Sequence, residues 1–180
     1  MKVVKHPDIG MLSLSRYEDR LIVYFETEMT DPDPRNIVTD GLKKYPSGET
    51  LIRMPDIFHF SRPLNREHWE RRVPKVPNIR VNRLRYHMIS SYIFYHHQLQ
   101  EERRNKPARD KYGIICLDGN FMVFYLEDPA EPETMEIQGK LATSNSPDNW
   151  GELMARHFIP WEDFNEPWKP ATLLDVDDYI

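Results

Sequence analysis

Three polar side chains on one predicted helix, Tyr92, His96 and Gln100, are the residues of this sequence best suited to acid–base chemistry. Their spacing of four residues places them on one side of an α-helix. Histidine both donates and accepts protons near neutral pH, because its ordinary pKa is about 6.5. The sequence therefore predicts a general acid or base at His96, with Tyr92 and Gln100 beside it. The alternative is that Tyr92 and His96 are partly buried packing residues with hydrogen-bond partners.

Other kinds of reactive site have weaker signals in the sequence. His97 and Glu101 share the i, i+4 spacing of a metal-binding pair, but no HExxH motif or Cys–His cluster accompanies them, so we expect no metal. Cys116 lies in an apolar strand, where a thiol is usually an inert small hydrophobe. The sequence has neither the glycine-rich motifs that bind phosphate nor a GxSxG motif. We therefore expect no cofactor.

The composition of the 180 residues bears on the choice of partner. The chain has 24 Lys and Arg against 29 Asp and Glu, a net charge of -5, whereas phosphate-binding surfaces need clustered cations. We therefore expect no nucleic-acid partner. No segment reaches the roughly 18 to 20 apolar residues of a membrane-spanning helix, and no secretory leader is recognised, so we expect no membrane association and a cytoplasmic location.

Aromatic residues make up 12% of the chain. They are not interleaved with Lys and Arg, and so they do not indicate a surface for stacking nucleic-acid bases. Flat apolar rings instead suit a hydrophobic core, or the CH faces of a sugar. The composition thus favours a small-molecule substrate, with a monosaccharide as one candidate.

The elements that must position these side chains follow from hydrophobic patterning and turn residues. In the second half of the chain the pattern predicts a strand, a helix, two strands, a helix and a strand, in that order. That order is the split β-α-β arrangement, so we predict an α+β, ferredoxin-like antiparallel sheet with both helices on one face. The predicted ranges are 79–88, 88–104, 111–128 for the hairpin, 149–158 and 168–180.

The first half carries its own signals. Residues 10–28 predict a hairpin, and residues 51–60 predict a strand that lies on an edge or at a bulge, because Pro55 cannot donate a ladder hydrogen bond. Asn65 is a suitable N-cap for a short helix, and a Pro-rich connector follows it.

The two halves also resemble one another. Residues 21–28 and 121–128 align without a gap at an offset of 100. We therefore predict two domains, a degenerate half-repeat at 1–78 and a complete unit at 79–180, which together form an intrachain pseudo-dimeric barrel. The alternative is that any two aromatic hairpins align this well.

The second half, over residues 79–176, resembles the L-rhamnose mutarotase family, whose fold is a ferredoxin-like, dimeric α/β barrel. The resemblance consists of a Tyr-x-x-x-His helix, a hairpin that opens on a Tyr, a Trp-containing helix and a terminal strand, in the same order. The matching segments are YIFYH at 92–96, YGIICLD at 112–118, FYLE at 124–127, Trp150, and TLLDV at 172–176, while residues 56–60 also resemble the family's terminal strand.

The resemblance implies an isomerase that interconverts sugar anomers without a cofactor. One group protonates the ring oxygen and another removes the proton of the anomeric hydroxyl. His96 would be the acid or base, Tyr92 and Tyr112 would orient the sugar or share proton transfer, and Trp150 would stack on the sugar ring. Gln100 completes the predicted substrate-binding set, and the fold implies a homodimer.

Two other hypotheses remain open from the sequence. One is a ferredoxin-like barrel that performs another small-molecule reaction, such as cofactor-independent oxidation or isomerisation. The other is a noncatalytic small-molecule-binding or interaction protein, in which the first half acts as a lid or interface. Convergence of Tyr92, His96 and Tyr112 in one pocket favours the mutarotase, whereas filling of the polar helix stripe by other side chains favours the noncatalytic protein.

Overall fold

The protein has an α+β fold of antiparallel sheets with few helices in the residues that the computed structural model describes, which are 2–4, 7–39, 42, 44–102, 108–135 and 139–180. The chain divides into two compact units. Unit 1 comprises Met1–Arg53 and Ala171–Ile180, and unit 2 comprises Met54–Pro170. The division therefore differs from the predicted boundary between residues 78 and 79, which falls inside the strand Val76–Arg83.

The described elements are mostly short. In chain order the strands are β1 (Lys2–Val3), β2 (Ile9–Tyr17), β3 (Arg20–Thr27), β4 (Val38–Thr39), β5 (Asp56–His59), β6 (Val76–Arg83), β7 (Ile114–Asp118), β8 (Phe121–Asp128), β9 (Lys169–Pro170) and β10 (Thr172–Leu174). The α-helices are α1 (Arg66–Trp69), α2 (Ile89–Glu102) and α3 (Trp150–Ala155), and 3-10 helices cover Pro34–Asn36, Tyr86–Met88 and Val176–Tyr179. At 14 residues α2 is the longest helix described, and none in the described residues is long and apolar enough to cross a membrane.

Unit 1 is built on the predicted hairpin, which the structure confirms as β2 and β3. The turn needs only Glu18 and Asp19, and Glu18 adopts a φ of 54°, a conformation that two-residue hairpin turns require. A third strand, β10, pairs antiparallel with β2, so that Leu173 lies opposite Ser15. The strand β1 pairs with β4 in a separate two-stranded ladder.

Unit 2 contains a five-stranded antiparallel sheet in the order β5-β7-β8-β6-β9. The hairpin of β7 and β8 is confirmed, and Gly119 supplies the positive φ of 57° in its turn. Pro55 precedes β5, which pairs only with β7 among the described strands and is therefore the predicted edge strand. The predicted terminal strand is divided, because β9 pairs with β6 whereas β10 pairs with β2.

The predicted barrel does not form in the described part of the chain. A barrel needs its first and last strands to hydrogen-bond to each other. In unit 2 the edge strands β5 and β9 each have one neighbour, and β9 is only two residues long. The three-stranded sheet of unit 1 likewise ends in two edge strands, β10 and β3.

The two hairpins differ in register from the alignment that suggested a duplication. In unit 1 the pair that flanks the turn is Tyr17 and Arg20, and in unit 2 it is Asp118 and Phe121. The turns therefore correspond at an offset of 101 residues and not 100. A one-residue difference reverses the face to which every side chain points. The duplication stays a prediction.

The core of unit 2 lies between the sheet and the two helices α2 and α3. Asn65 caps α1 as predicted, with its side-chain oxygen accepting the amide of His68 at 2.8 Å. The helix α2 packs against β5, and Leu84 bridges to Phe158 beyond α3. The buried members of the core are Phe58, Leu84, Tyr92, Ile115, Leu117, Met122, Met154 and Phe158.

Candidate functional site

The predicted catalytic side chains of α2 lie inside the core of unit 2. Tyr92 is 1% exposed and His96 is 4% exposed. The Nδ1 atom of His96 lies 2.9 Å from the carbonyl oxygen of Tyr92. A carbonyl only accepts hydrogen bonds, so Nδ1 carries a proton and donates it.

Aromatic rings surround this histidine. The His96 ring lies 4.0 Å from the Tyr92 ring, 4.9 Å from the half-buried Trp150 ring and 5.4 Å from the Phe58 ring, measured between centroids. Burial raises the pKa of Tyr92, so its phenol stays protonated across the physiological range. The structure thus brings together three of the five predicted site residues, as members of a packed aromatic cluster.

Tyr112 lies in a different cluster, just before β7. Its hydroxyl donates to the carbonyl oxygen of Glu70 at 3.2 Å, and its ring packs edge-on against Trp69 at 5.0 Å. The guanidinium of Arg71 covers the ring at 4.2 Å, a cation–π contact. These contacts hold Tyr112 against α1 and the segment that follows it.

Gln100 contacts a histidine that the sequence analysis did not single out. Its side-chain oxygen accepts the backbone amide of His59 at 3.2 Å, and its side-chain nitrogen lies 3.2 Å from Nε2 of the same residue. Gln100 therefore links the C-terminal half of α2 to the edge strand β5.

His59 lies at the centre of a polar group, named here the His59 site, that consists of Asp56, His59, Arg62 and Gln100. The Nε group of Arg62 donates to Nε2 of His59 at 2.6 Å, so Nε2 is the unprotonated nitrogen. Nδ1 then carries the proton and donates it to the Asp56 carboxylate at 3.0 Å. The carboxylate thereby fixes both the tautomer and the ring orientation of His59.

The His59 site differs from the aromatic cluster in its exposure. The side chain of His59 is 14% exposed and that of Asp56 is 59% exposed, and Arg62 is exposed as well. Burial lowers the pKa of His59, and the neighbouring Arg62 cation lowers it further, while Asp56 and Glu101 oppose both effects. The histidine is therefore neutral at pH 7, and its Nε2 lone pair accepts from Arg62 and lies close to the Gln100 amide, so a substrate hydroxyl must displace these donors before Nε2 accepts its proton.

A β-bulge explains why sequence patterning missed this group. Residues three apart on a regular strand point to opposite faces. The pairing of β5 with β7 shifts between Asp56 and Phe58, and an extra residue at such a shift turns the following side chains over. Asp56 and His59 consequently meet on one side. Pro55 predicted an edge or a bulge in this strand, but the position of the bulge depends on the partner strand, and the spacing within residues 56–59 does not give it.

Unit 2 also contains a second polar group, the Glu133 cluster, which consists of Ser61, His68, Lys111 and Glu133. Burial opposes ionisation of Glu133, but hydrogen bonds from Ser61, the Met135 amide and His68 lower its pKa. Lys111, which is also buried, donates to the carbonyl oxygen of His68. Ser61, His68 and Lys111 are all hydrogen-bonded within the cluster, so the cluster is interpreted as a structural network.

An adjacent ion pair continues this network. Arg71 donates to Glu127 through Nη2 at 2.6 Å and through Nε at 3.2 Å, and the Tyr125 hydroxyl donates to the same carboxylate at 2.7 Å. Glu127 is 1% exposed. A buried carboxylate with this many donors has its hydrogen-bonding capacity satisfied within the protein.

The described residues contain no group of three or more His, Cys, Asp or Glu side chains arranged to hold a metal ion. No protein-family model, no curated protein and no solved structure matches the chain.

Proposed function

We propose that unit 2 is a ferredoxin-like domain that interconverts the anomers of a small free sugar by proton transfer, without a cofactor. The strand order β7-β8-β6-β9 supports the fold. Counted along the chain from β6, these are the second, third, first and fourth strands, with α2 after the first and α3 after the third. That is the strand order and connectivity of a split β-α-β sheet.

The observation that carries the proposed activity is the hydrogen-bonded series from Asp56 through His59 to Gln100. A neutral histidine oriented by a carboxylate is a general base held in its working tautomer. In the His59 site that base is partly exposed, and the Arg62 guanidinium and the Gln100 amide that contact its Nε2 atom would donate to hydroxyl oxygens of a substrate once displaced from it. Such donors and acceptors match a polyhydroxylated, uncharged substrate.

One histidine is sufficient for the proton transfers of mutarotation. The substrate first displaces the Arg62 and Gln100 donors from Nε2 of His59. Nε2 then accepts the proton of the anomeric hydroxyl, and the bond between the anomeric carbon and the ring oxygen breaks. The ring oxygen keeps the electron pair and takes the proton from Nε2, which leaves an open-chain aldehyde. The aldehyde recloses on its other face by the reverse steps, so no proton is gained or lost. Arg62 would stabilise the negative charge that develops on the ring oxygen.

In this proposal the residues of the aromatic cluster have a supporting role. His96 and Tyr92 lie in the core, where a sugar would have to displace packed rings to reach them. Their catalytic assignment, and the substrate contacts assigned to Tyr112 and Trp150, stay predictions.

The second candidate is a noncatalytic small-molecule-binding protein. The packing of Phe58 and Trp150 against His96 favours it, because side chains of the protein itself cover part of the polar stripe of α2. In this case the His59 site would bind a hydroxylated ligand and leave its anomers unchanged.

Exchange NMR on a panel of free aldoses that includes L-rhamnose tests both candidates. With wild-type protein we expect faster exchange between the two anomers of at least one sugar. His59→Gln should slow the catalysed exchange about 100-fold or more, the usual contribution of a positioned acid–base group. His97→Gln is the matched control, since His97 is exposed on the same helix.

The outcomes separate the candidates. Catalysis that survives in His59→Gln but disappears in His96→Gln would assign the acid–base role to His96 in the aromatic cluster. Saturable sugar binding without accelerated exchange would establish the noncatalytic protein. If no sugar binds and exchange is unchanged, both candidates are rejected.

A further inference from the structure

A serine and a histidine outside the His59 site form a hydrogen bond between the two helices of unit 2. The Ser91 hydroxyl oxygen, in the first turn of α2, lies 2.9 Å from Nε2 of His157, which follows α3. On its other side, Nδ1 of His157 lies 2.9 Å from the carbonyl oxygen of Leu153. The three groups form the series Ser91, His157, Leu153 carbonyl.

The carbonyl fixes the tautomer of His157. Because the Leu153 oxygen only accepts, Nδ1 carries the proton and Nε2 has the lone pair. The contact between Ser91 and Nε2 therefore uses the serine proton. The Met88 carbonyl lies 3.0 Å from the same hydroxyl and competes for that proton. A serine that donates to a histidine whose far nitrogen is held by an acceptor has the geometry of an activated nucleophile.

The surroundings hold the base and leave access to the nucleophile. His157 is 1% exposed, and the rings of Tyr92 and Tyr95 pack edge-on against it at 5.8 and 6.0 Å. Ser91 is only half-buried, and Phe94, three residues further along the helix, is 60% exposed. Residues three apart on a helix are neighbours, so Phe94 offers an apolar contact beside the hydroxyl.

We propose that Ser91 is a nucleophile toward activated esters of small apolar acids, with His157 as its general base. The Ser91 oxygen forms a bond to the ester carbonyl carbon while its proton passes to Nε2 of His157. The tetrahedral intermediate collapses, and the departing alkoxide or phenolate takes that proton. Water then attacks the acyl carbon while His157 takes its proton; the bond to Oγ breaks, that proton passes from His157 to Oγ, and the acid leaves with the serine restored.

Two structural features support this reaction. The backbone carbonyl of Leu153 takes the place of the orienting carboxylate in a catalytic triad, because it holds the tautomer and the orientation of the His157 ring. Ser91 also lies near the N-terminus of a 14-residue helix, where the helix dipole favours the negative charge of the intermediate.

Covalent labelling of the folded wild-type protein tests the proposal without any variant. The probe is an alkyl fluorophosphonate, and the modified residue is located by peptide mass spectrometry. We expect an adduct on Ser91 that forms at least tenfold faster than on the neighbouring exposed Ser90, and that is lost in urea. Labelling of Ser90 and Ser91 at equal rates, or no adduct on Ser91, would overturn the proposal.

Variants then assign the base. His157→Gln should slow labelling about 100-fold, and Ser91→Ala should abolish both labelling and hydrolysis of p-nitrophenyl acetate. Tryptophan emission checks that each variant is folded, and Ser90→Ala is the matched control.

Sugar exchange in Ser91→Ala should equal that of the wild type, so the outcome is separate from that at the His59 site. Wild-type labelling rates in a folded His157→Gln variant would contradict the role of His157.

Discussion

At the scale of single residues, two histidines of unit 2 show how surroundings decide reactivity. His96 has its Nδ1 proton committed to a backbone carbonyl and its ring covered by aromatic side chains. His59 has a carboxylate partner and lies at an edge strand with part of its side chain in solvent. Only the second can exchange protons with a substrate without rearrangement of the core.

The first prediction concerns Asp56→Asn. The Asp56 carboxylate opposes the effect of burial on His59, so its neutralisation should lower the pKa of His59 further. Titration of the His59 ring signals by NMR measures this shift. Asp163→Asn, which removes a carboxylate paired with Lys169, should leave the His59 titration unchanged. An unchanged or higher pKa in Asp56→Asn would show that the carboxylate does not hold the ring.

A second prediction concerns Asp110. Burial raises the pKa of its carboxyl to about 6, and the nearby Glu127 raises this pKa as well. The hydrogen bond from the Tyr112 amide and the charge of Lys75 lower it. The folded state therefore keeps a proton that the unfolded chain has released, and stability falls as the pH rises from about 4 through 6.

Asp110→Asn should remove this loss, because an amide oxygen still accepts the Tyr112 amide and carries no charge. Relative to wild type, we expect the variant to gain about 1 kcal/mol in unfolding free energy between pH 4 and pH 7.5, a figure discounted for solvent screening. Urea unfolding at the two pH values measures it. A constant difference between the two proteins would refute the prediction.

At the scale of elements, local signals predicted much of the fold. The two hairpins, α2, the cap at Asn65 and the edge strand after Pro55 were all indicated by residues within or next to the element. The division of residues 168–180 between two sheets was not indicated. Pro55 predicted an edge or a bulge in the strand at 51–60, but not which residues the bulge brings together. Both features depend on partner strands far away in the sequence. For the same reason the sequence predicted a histidine beside Gln100, but it did not identify that histidine as His59 or its neighbours as Asp56 and Arg62.

The C-terminal end of α2 shows a long-range contact of this kind. The Glu102 carboxylate accepts hydrogen bonds from Thr143, Ser146 and the amide of Asn145, and the first of these does most to lower its pKa to about 2. The carbonyl of Glu101 accepts the amide of Leu141 at 3.0 Å. Two consecutive glutamates therefore fix the segment that leads to α3.

Gly139 gives a prediction for this segment. A Cβ at this position would overlap the backbone of Glu101, which cannot move away as a side chain can. Gly139→Ala should therefore cost about 1 to 3 kcal/mol of unfolding free energy. Gly151, inside α3, has open space around it, so Gly151→Ala should gain about 0.5 to 1 kcal/mol through helix propensity. Chemical denaturation measures both, and equal effects of the two substitutions would contradict the contact.

At the scale of the whole molecule, the two units differ in their tryptophan content. All four tryptophans, Trp69, Trp150, Trp161 and Trp168, belong to unit 2. Tryptophan emission therefore reports directly on unit 2, whereas unit 1 must be followed by its tyrosines or by proteolysis.

Removal of residues 171–180 should affect unit 1 in particular. It deletes β10 and leaves β2 and β3 as a two-stranded hairpin, which is marginal in water. We expect proteolytic cleavage within residues 7–39 to accelerate at least tenfold, with tryptophan emission retained. Removal of residues 176–180 alone spares β10 and is the matched control. Unchanged protection of residues 7–39 in the shorter chain would show that β10 does not stabilise the hairpin.

The pairing of β10 with β2 also sets an order of events during synthesis on the ribosome. Leu14 meets Leu174 only after about 160 further residues have been made, which takes roughly 8 to 30 s at the usual rates of translation. All strands of unit 2 emerge within that interval. The strands β5, β6, β7 and β8 are therefore made well before β10, whereas β9 directly precedes it. Until β10 is made, one edge of β2 stays open to other chains.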